Sequence, residues 1–192
     1  MFTEEQAHTQ VLGIVGSPRR GGNTETLVNE VLRGAKEAEA SVEKVILNEL
    51  QISPCQACED CMKDGVCIYE DDMVPLLQKM QASQVWVLGT PVYFWGPTAQ
   101  FKGFLDRWFS QEKVMTFRGR RIILVIPLGG KNVGFARHLV GMLKEVVEYF
   151  EMELCATILA PNILEAGEVR EHADILDAAY RAGREAVQKP WP

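Results

Sequence analysis

A chain of 192 residues with 47% hydrophobic content has room for one sizeable core, and ordinary domain size favours a single domain over residues 1–192. Acidic residues outnumber basic ones by 26 to 20, a formal net charge of -6, so no long-range field draws in nucleic acid or an anionic membrane. The opening MFTEEQAHTQ lacks the basic start and apolar centre of a signal peptide, and no run reaches the roughly 18 apolar residues of a membrane span, which together predict a soluble cytoplasmic protein acting on small molecules.

In chain order, the first short apolar run, residues 11–16, predicts a buried strand. It leads into GSPRRGGNT, residues 16–24, and then into apolar positions Leu27, Val28, Val31 and Leu32 at helical spacing. A second strand is predicted over 42–50. Residues 51–71 break the rhythm and hold four of the five cysteines, Cys55, Cys58, Cys61 and Cys67. Asp71 and Asp72 then stand where they would cap a helix carrying Met73, Leu76, Leu77 and Met80. A third strand, 84–93, runs into TPVYFWGPTAQ and a helix unusually rich in aromatics: Phe101, Phe104, Trp108 and Phe109. That is more aromatic surface than one sheet face is expected to absorb, so a subunit interface is predicted there, with Lys102 and Asp106 as a surface pair. The arginines of FRGRR, residues 117–121, read as a solvated turn. A fourth strand over 121–128 meets PLGGKNVGF and a helix through Leu139, Leu143, Val146, Val147 and Phe150. A fifth, 154–164, contains Cys155 as a small apolar side chain and precedes a last helix through Ile175, Leu176 and Ala179.

Five βα units with near-continuous apolar strands predict a parallel sheet covered on both faces, in the order 2-1-3-4-5. In such a sheet ligands sit beyond the strand ends beside strands one and three. The glycine-rich first loop has the properties of a phosphate cradle, with Ser17, Asn23 and Thr24 as donors and Arg19 as a balancing charge. No GxxxxGK[ST] and no GxGxxG is present, which leaves a monophosphate; the plainer reading is a turn in which Thr24 caps a helix. Pro91, Tyr93 and Phe94 are placed to flank a planar ring, Trp95 alone reads as core, and Gly129 and Gly130 let backbone approach the same ring. His8, His138 and His172 fall in no ligand loop, and no GxSxG marks a hydrolase.

GSPRRGGNT followed by TPVYFWGPTAQFKGFLDR resembles the flavodoxin-like NADPH-dependent FMN reductases, and CQACEDCMKDGVCIYEDDM is similar to their iron-sulfur flavoprotein branch. The resemblance runs from Val11 over nearly the whole chain. It implies a flavodoxin-like three-layer sandwich in which Ser17, Arg19, Asn23 and Thr24 hold the FMN phosphate, Pro91, Val92, Tyr93 and Phe94 line the isoalloxazine, and Gly129 and Gly130 close over it. Trp95 departs from the small residue often found there. The resemblance further implies a 4Fe-4S cluster on Cys55, Cys58, Cys61 and Cys67, at spacing C-x2-C-x2-C-x5-C. Four thiolates also suit zinc, and reduced cysteines without metal are a third reading. The function implied is redox chemistry on FMN, with NAD(P)H as a donor delivering hydride to the ring N5 and, where a cluster is present, single electrons exchanged with a partner such as a ferredoxin. The alternatives are a cluster-free NAD(P)H-dependent FMN or quinone reductase and a regulatory flavin-binding sensor. Dimers or tetramers are implied by the family.

Overall fold

The computed structural model describes residues 9–190; the N-terminal reading above and His8 lie outside them. Five strands, β1 (Gln10–Val15), β2 (Ser41–Ile46), β3 (Val85–Gly89), β4 (Arg121–Pro127) and β5 (Glu153–Ala160), form one parallel sheet in the order β2-β1-β3-β4-β5. The predicted strands overran at their C-terminal ends. Apolar residues that the sequence assigns to strands two, three and five instead leave the sheet at Ile46, Gly89 and Ala160 and enter turns and ligand loops. In the β4–β5 pairing, Ile122 meets Leu154 while Ile123 meets Ala156, so the register shifts across Cys155. This half-buried thiol packs against the core beside α1 and α5, as expected of a small apolar side chain, and burial pushes its pKa up.

Five helices cover the sheet: α1 (Asn23–Glu37), α2 (Met73–Ala82), α3 (Ala99–Asp106), α4 (Arg137–Tyr149) and α5 (Ala173–Gln188). Leu27, Val28, Val31 and Leu32 of α1 and Ala179, Ala182 and Ala186 of α5 share one core with the faces of β1, β3 and β4. The two helices cross at Gly34 and Gly183. A Cβ on Gly34 would lie 1.9 Å from the Tyr180 carbonyl oxygen, and one on Gly183 1.9 Å from that of Val31. This contact fixes the axis of α1 and therefore the aim of its N-terminus. Gly183→Ala is expected to destabilise the fold by about 3 kcal/mol, because backbone has to move to admit the methyl. A lowered urea midpoint with unchanged slope would report it.

The opposite face carries an aromatic core. Phe101, Phe104 and Trp108 are fully buried, and Trp108 packs edge-on against Trp86, Phe117 and Phe150 at centroid distances of 5.6, 5.1 and 6.0 Å. The sheet face absorbs most of the stripe, because Phe117 and Phe150 arrive from distant segments to pack against Trp108, and the excess on which the sequence rests its expected interface comes down to Phe109. Phe109 alone of the stripe remains exposed. Lys102 and Asp106 form the expected surface pair at 2.5 Å.

Arg121 corrects a second expectation. It is completely buried rather than solvated, reaching Glu153 at 3.3 Å and donating to the carbonyls of Ala186 and Lys189 at 3.0 and 2.7 Å. A cation at the bottom of the sheet is tolerated because the C-terminal carbonyls of α5 satisfy it.

Candidate functional site

Loops at the C-terminal strand ends enclose a cavity beside β1 and β3. Ser17, Arg19, Asn23 and Thr24 enter it from the first loop, Pro91, Val92 and Tyr93 from the loop after β3, and Gly129 from the loop after β4. The first and third loops are stitched together by buried threonines. Gly16 N–H donates to the Gly89 carbonyl at 2.7 Å, and the Thr98 hydroxyl donates to the Gly16 carbonyl at 2.5 Å. Thr98 also caps α3 by accepting from Phe101 N–H at 3.2 Å, and the Thr90 hydroxyl accepts from Thr98 N–H at 3.2 Å. Sequence reading did not single out either threonine, although a Thr directly after Gly96-Pro97 is a recognisable cap signal.

The cradle end is built from Ser17 and Thr24, both buried, under the first turn of α1, whose leading N–H groups have no intrahelical acceptor. Gly22, not Thr24, occupies the cap position, so Thr24 is not the helix cap. Arg19 donates to the Leu164 carbonyl at 3.1 Å. Asn23 is committed to the loop after β5: its amide nitrogen donates to the Glu165 carbonyl at 2.7 Å and its oxygen accepts from Val169 N–H at 3.1 Å. It therefore braces the cavity wall with one of its two amide hydrogens and leaves the other for a ligand. That loop also supplies Ile163 and Leu164 to the lining, alongside Pro127 and Leu128. Both were missed because they were read as the end of strand five; Pro161-Asn162, with Asn162 in the left-handed region at φ 58°, is the signal that the strand had ended.

Glu25, also missed, accepts from Gly21 N–H at 2.7 Å and pairs with Lys44 at 2.6 Å. The Lys44 hydrogen bond holds its carboxyl below the ordinary value of 4.5 against the opposing effect of burial, and the Gly21 N–H adds to it. A pKa lower in the folded than in the unfolded chain contributes stability that is full above about pH 4.5 and is lost as pH falls through the folded value. Glu25→Gln should accordingly flatten the acid limb of a stability-against-pH curve measured between pH about 3 and 6.

Phe94 and Gly130 are not on the cavity wall. Phe94 and Trp95 sit at φ 45° and 63°, in the centre of a two-residue turn closed by reciprocal hydrogen bonds between Tyr93 and Gly96 at 2.9 and 3.0 Å. Two consecutive left-handed side-chain-bearing residues cost about 1–2 kcal/mol each. The turn throws Phe94 outward, 96% exposed, so it does not line the cavity, and leaves Trp95 49% exposed rather than in the core. Trp95 meets Phe135 edge-on at 6.4 Å, and Val92, Phe94, Trp95 and Phe135 form an aromatic hollow that shares Val92 with the cavity. Gly130 makes room for Phe135: a Cβ there would lie 2.4 Å from the Phe135 ring.

Cys55, Cys58, Cys61 and Cys67 line a second, separate cavity together with Tyr69 and Phe109. The segment has only one short 3-10 turn, Asp60–Met62, and left-handed residues at Ala57 and Glu59 on either side of Cys58. All four are free thiols, two exposed, one half-buried and one, Cys61, buried. Burial pushes the Cys61 thiol up, and the charges of Cys67, Cys55 and Cys58 add to it. Among the described residues no three His, Cys, Asp or Glu side chains are grouped so as to hold a metal ion. The donor set nonetheless suits one: four thiols around a single cavity, mutually repelling once ionised, are the ligands that iron-sulfur clusters and structural zinc take.

Asp71 and Asp72 do not cap α2 symmetrically. Asp71 accepts from Met73 N–H at 3.1 Å and from Ser53 N–H at 2.8 Å, whereas Asp72, at the cap position, accepts from Gln51 N–H at 2.7 Å instead. Burial would raise the Asp71 carboxyl, but the Arg107 hydrogen bond and the two N–H donors outweigh it and leave it below the usual carboxylate range.

A doubly wound sheet in this order, with its loops gathered at the switch point, defines the flavodoxin-like class. The chain belongs to the NADPH-dependent FMN reductase family, whose profile matches residues 9–157. It is similar to an iron-sulfur flavoprotein of Archaeoglobus fulgidus, 32% identical over 152 residues, covering 79% of this chain and 65% of the relative. An iron-sulfur flavoprotein of Methanocaldococcus jannaschii is 41% identical over 98 residues, covering 51% of each. The chain thus spans between about half and two thirds of the length of these relatives. Among solved structures, an NAD(P)H:quinone oxidoreductase from Methanothermobacter marburgensis superposes with a TM-score of 0.73 at 16% identity, covering 95% of this chain and 98% of that one, a likeness of fold.

Proposed function

We propose that this chain is an FMN-dependent oxidoreductase of the iron-sulfur flavoprotein kind, passing electrons between a reduced nicotinamide and a one-electron partner such as a ferredoxin. The observation that carries this reading is the pair of cavities in one domain, one with a helix N-terminus and buried hydroxyls at the switch point and one with four thiols. The residues at the first cavity fit FMN. Ser17, Thr24, Arg19 and the first turn of α1 hold the phosphate, while Pro91, Val92, Tyr93, Leu128, Gly129 and Leu164 bound the slot for the ring. Bound FMN supplies hydride acceptance, and a cluster on Cys55, Cys58, Cys61 and Cys67 supplies single-electron transfer.

The chain's own residues bind, orient and exclude water; no side chain at the slot needs to carry a proton. Asn23 and Arg19 hold the 162–168 loop against the cavity, so that the apolar walls Ile163 and Leu164 keep solvent from one edge. The aromatic hollow of Trp95 and Phe135 offers a flat second reactant, nicotinamide or quinone, a place beside the slot.

The spread of the four thiols favours a second reading, a cluster-free NAD(P)H-dependent FMN or quinone reductase. A dimer or tetramer would use the exposed apolar groove between α3 and α4, where Phe109 and Tyr149 lie. Protein purified without oxygen, assayed for flavin and iron and mixed with NADPH in a stopped-flow instrument, separates the readings. Flavin with iron and rapid bleaching support the first, flavin alone with rapid bleaching supports the second, and slow bleaching would point to a sensor.

A further inference from the structure

A single buried arginine joins the two ends of the cysteine segment. Arg107, in the 3-10 turn Arg107–Gln111 that continues α3, is 2% exposed. Its guanidinium donates to the Ser53 carbonyl at 2.8 Å and to both carboxylate oxygens of Asp71 at 2.6 and 3.2 Å. Asp71 in turn accepts from Ser53 N–H. Ser53 lies just before Cys55 and Asp71 just after Cys67, so one ion pair closes the base of the loop that carries all four thiols. The same turn holds the loop from its other side: Gln111 donates to the Gly65 carbonyl at 3.2 Å, and Phe109 lines the thiol cavity.

Closing a loop does not require so costly a group. Burying a cation and a carboxylate together seldom gains stability over apolar packing of the same volume, so a buried pair at a loop base invites a further role. Two observations place that role at the Cys67 end of the loop. Tyr69, two residues after Cys67, lies against the guanidinium at 5.5 Å, and among the described residues the buried Arg107 Nε has no hydrogen-bond partner.

We propose that Arg107 is the positioning residue of the cysteine site, clamping both ends of the 53–71 loop and setting one fixed positive charge, with a spare N–H donor, beside the Cys67 end. The inference rests on the iron-sulfur reading above. Four thiolates bring concentrated negative charge to one cavity, and each added electron increases it. A buried cation nearby stabilises the more negative state, so it raises the reduction potential of whatever redox group the thiols hold. Lysine keeps the charge but cannot reach Ser53 and Asp71 through a planar fork, whereas methionine fills the volume without charge.

The test compares wild type, Arg107→Lys and the double variant Arg107→Met with Asp71→Asn, which leaves no uncompensated carboxylate behind. Each is purified without oxygen, assayed for iron and FMN, and titrated for its cluster potential by electron paramagnetic resonance. Expected are a potential near wild type in Arg107→Lys with faster iron loss to a chelator, and a lower potential in the double variant at unchanged FMN content. Loss of all iron from the double variant with FMN retained also supports the clamp, and Arg107→Lys then reports the charge. Wild-type potential and chelator resistance in both variants would overturn the inference while leaving the iron-sulfur reading intact. A wild type that takes up no iron after reconstitution would overturn that reading, and the inference with it.

Discussion

Cys61→Ser, purified without oxygen, should lose its iron and broad cluster absorbance while keeping FMN and the fold. Serine has nearly the shape of cysteine but offers a harder oxygen where iron-sulfur clusters select a soft thiolate. Cys61 is the buried thiol of the four, the middle of the C-x2-C-x2-C run, and the one against which the other three charges act. The cavity proposed for the flavin shares no lining residue with the thiol cavity, so flavin retention separates ligand loss from unfolding. Single-electron delivery should fall sharply, with hydride uptake from a nicotinamide less affected. Cys155→Ser is the control: that thiol sits in β5, away from the others, and should keep its iron. Equal iron in the two variants would defeat the cluster assignment and leave the plain reductase.

Riboflavin, which lacks the phosphate, should bind the apoprotein at least about 100-fold more weakly than FMN, roughly 3 kcal/mol. The estimate follows from losing charge-assisted contacts to the first turn of α1 and to Arg19. Arg19→Ala should weaken FMN about tenfold and riboflavin far less. Asn23→Ala is expected to act differently from a simple loss of one phosphate donor, because its amide braces Glu165 and Val169; it should loosen the 162–168 loop and weaken both flavins. Fluorescence titrations with the two flavins measure all of this, and equal affinities for them would show that the first loop is no phosphate site.

The βα rhythm, the sheet order, the place of the ligand loops and the four-cysteine motif are legible in the sequence. Those rest on local signals: apolar runs with period two or full burial, helical spacing of apolar residues, and glycine-rich loops at strand ends. Ser17, Pro91, Tyr93 and Gly129 could be picked out for the cavity because they lie in loops that leave strands whose ends the fold aligns, Thr24 because the first loop runs into a helix, and Val92 through the family resemblance.

The remaining features depend on contacts between residues far apart in the chain, which no local pattern records. Asn23 and Arg19 turned toward the 162–168 loop because carbonyls some 140 residues later accept their hydrogen bonds. Phe94 left the cavity because a two-residue turn forced it outward, a consequence of backbone hand that composition does not reveal. Trp108, in the turn that continues α3, is core because Phe117 and Phe150 arrive to meet it. Arg121 and Arg107, both unremarkable as letters in the sequence, are buried because distant carbonyls and carboxylates satisfy them, and a charge can be buried only where the fold supplies such partners.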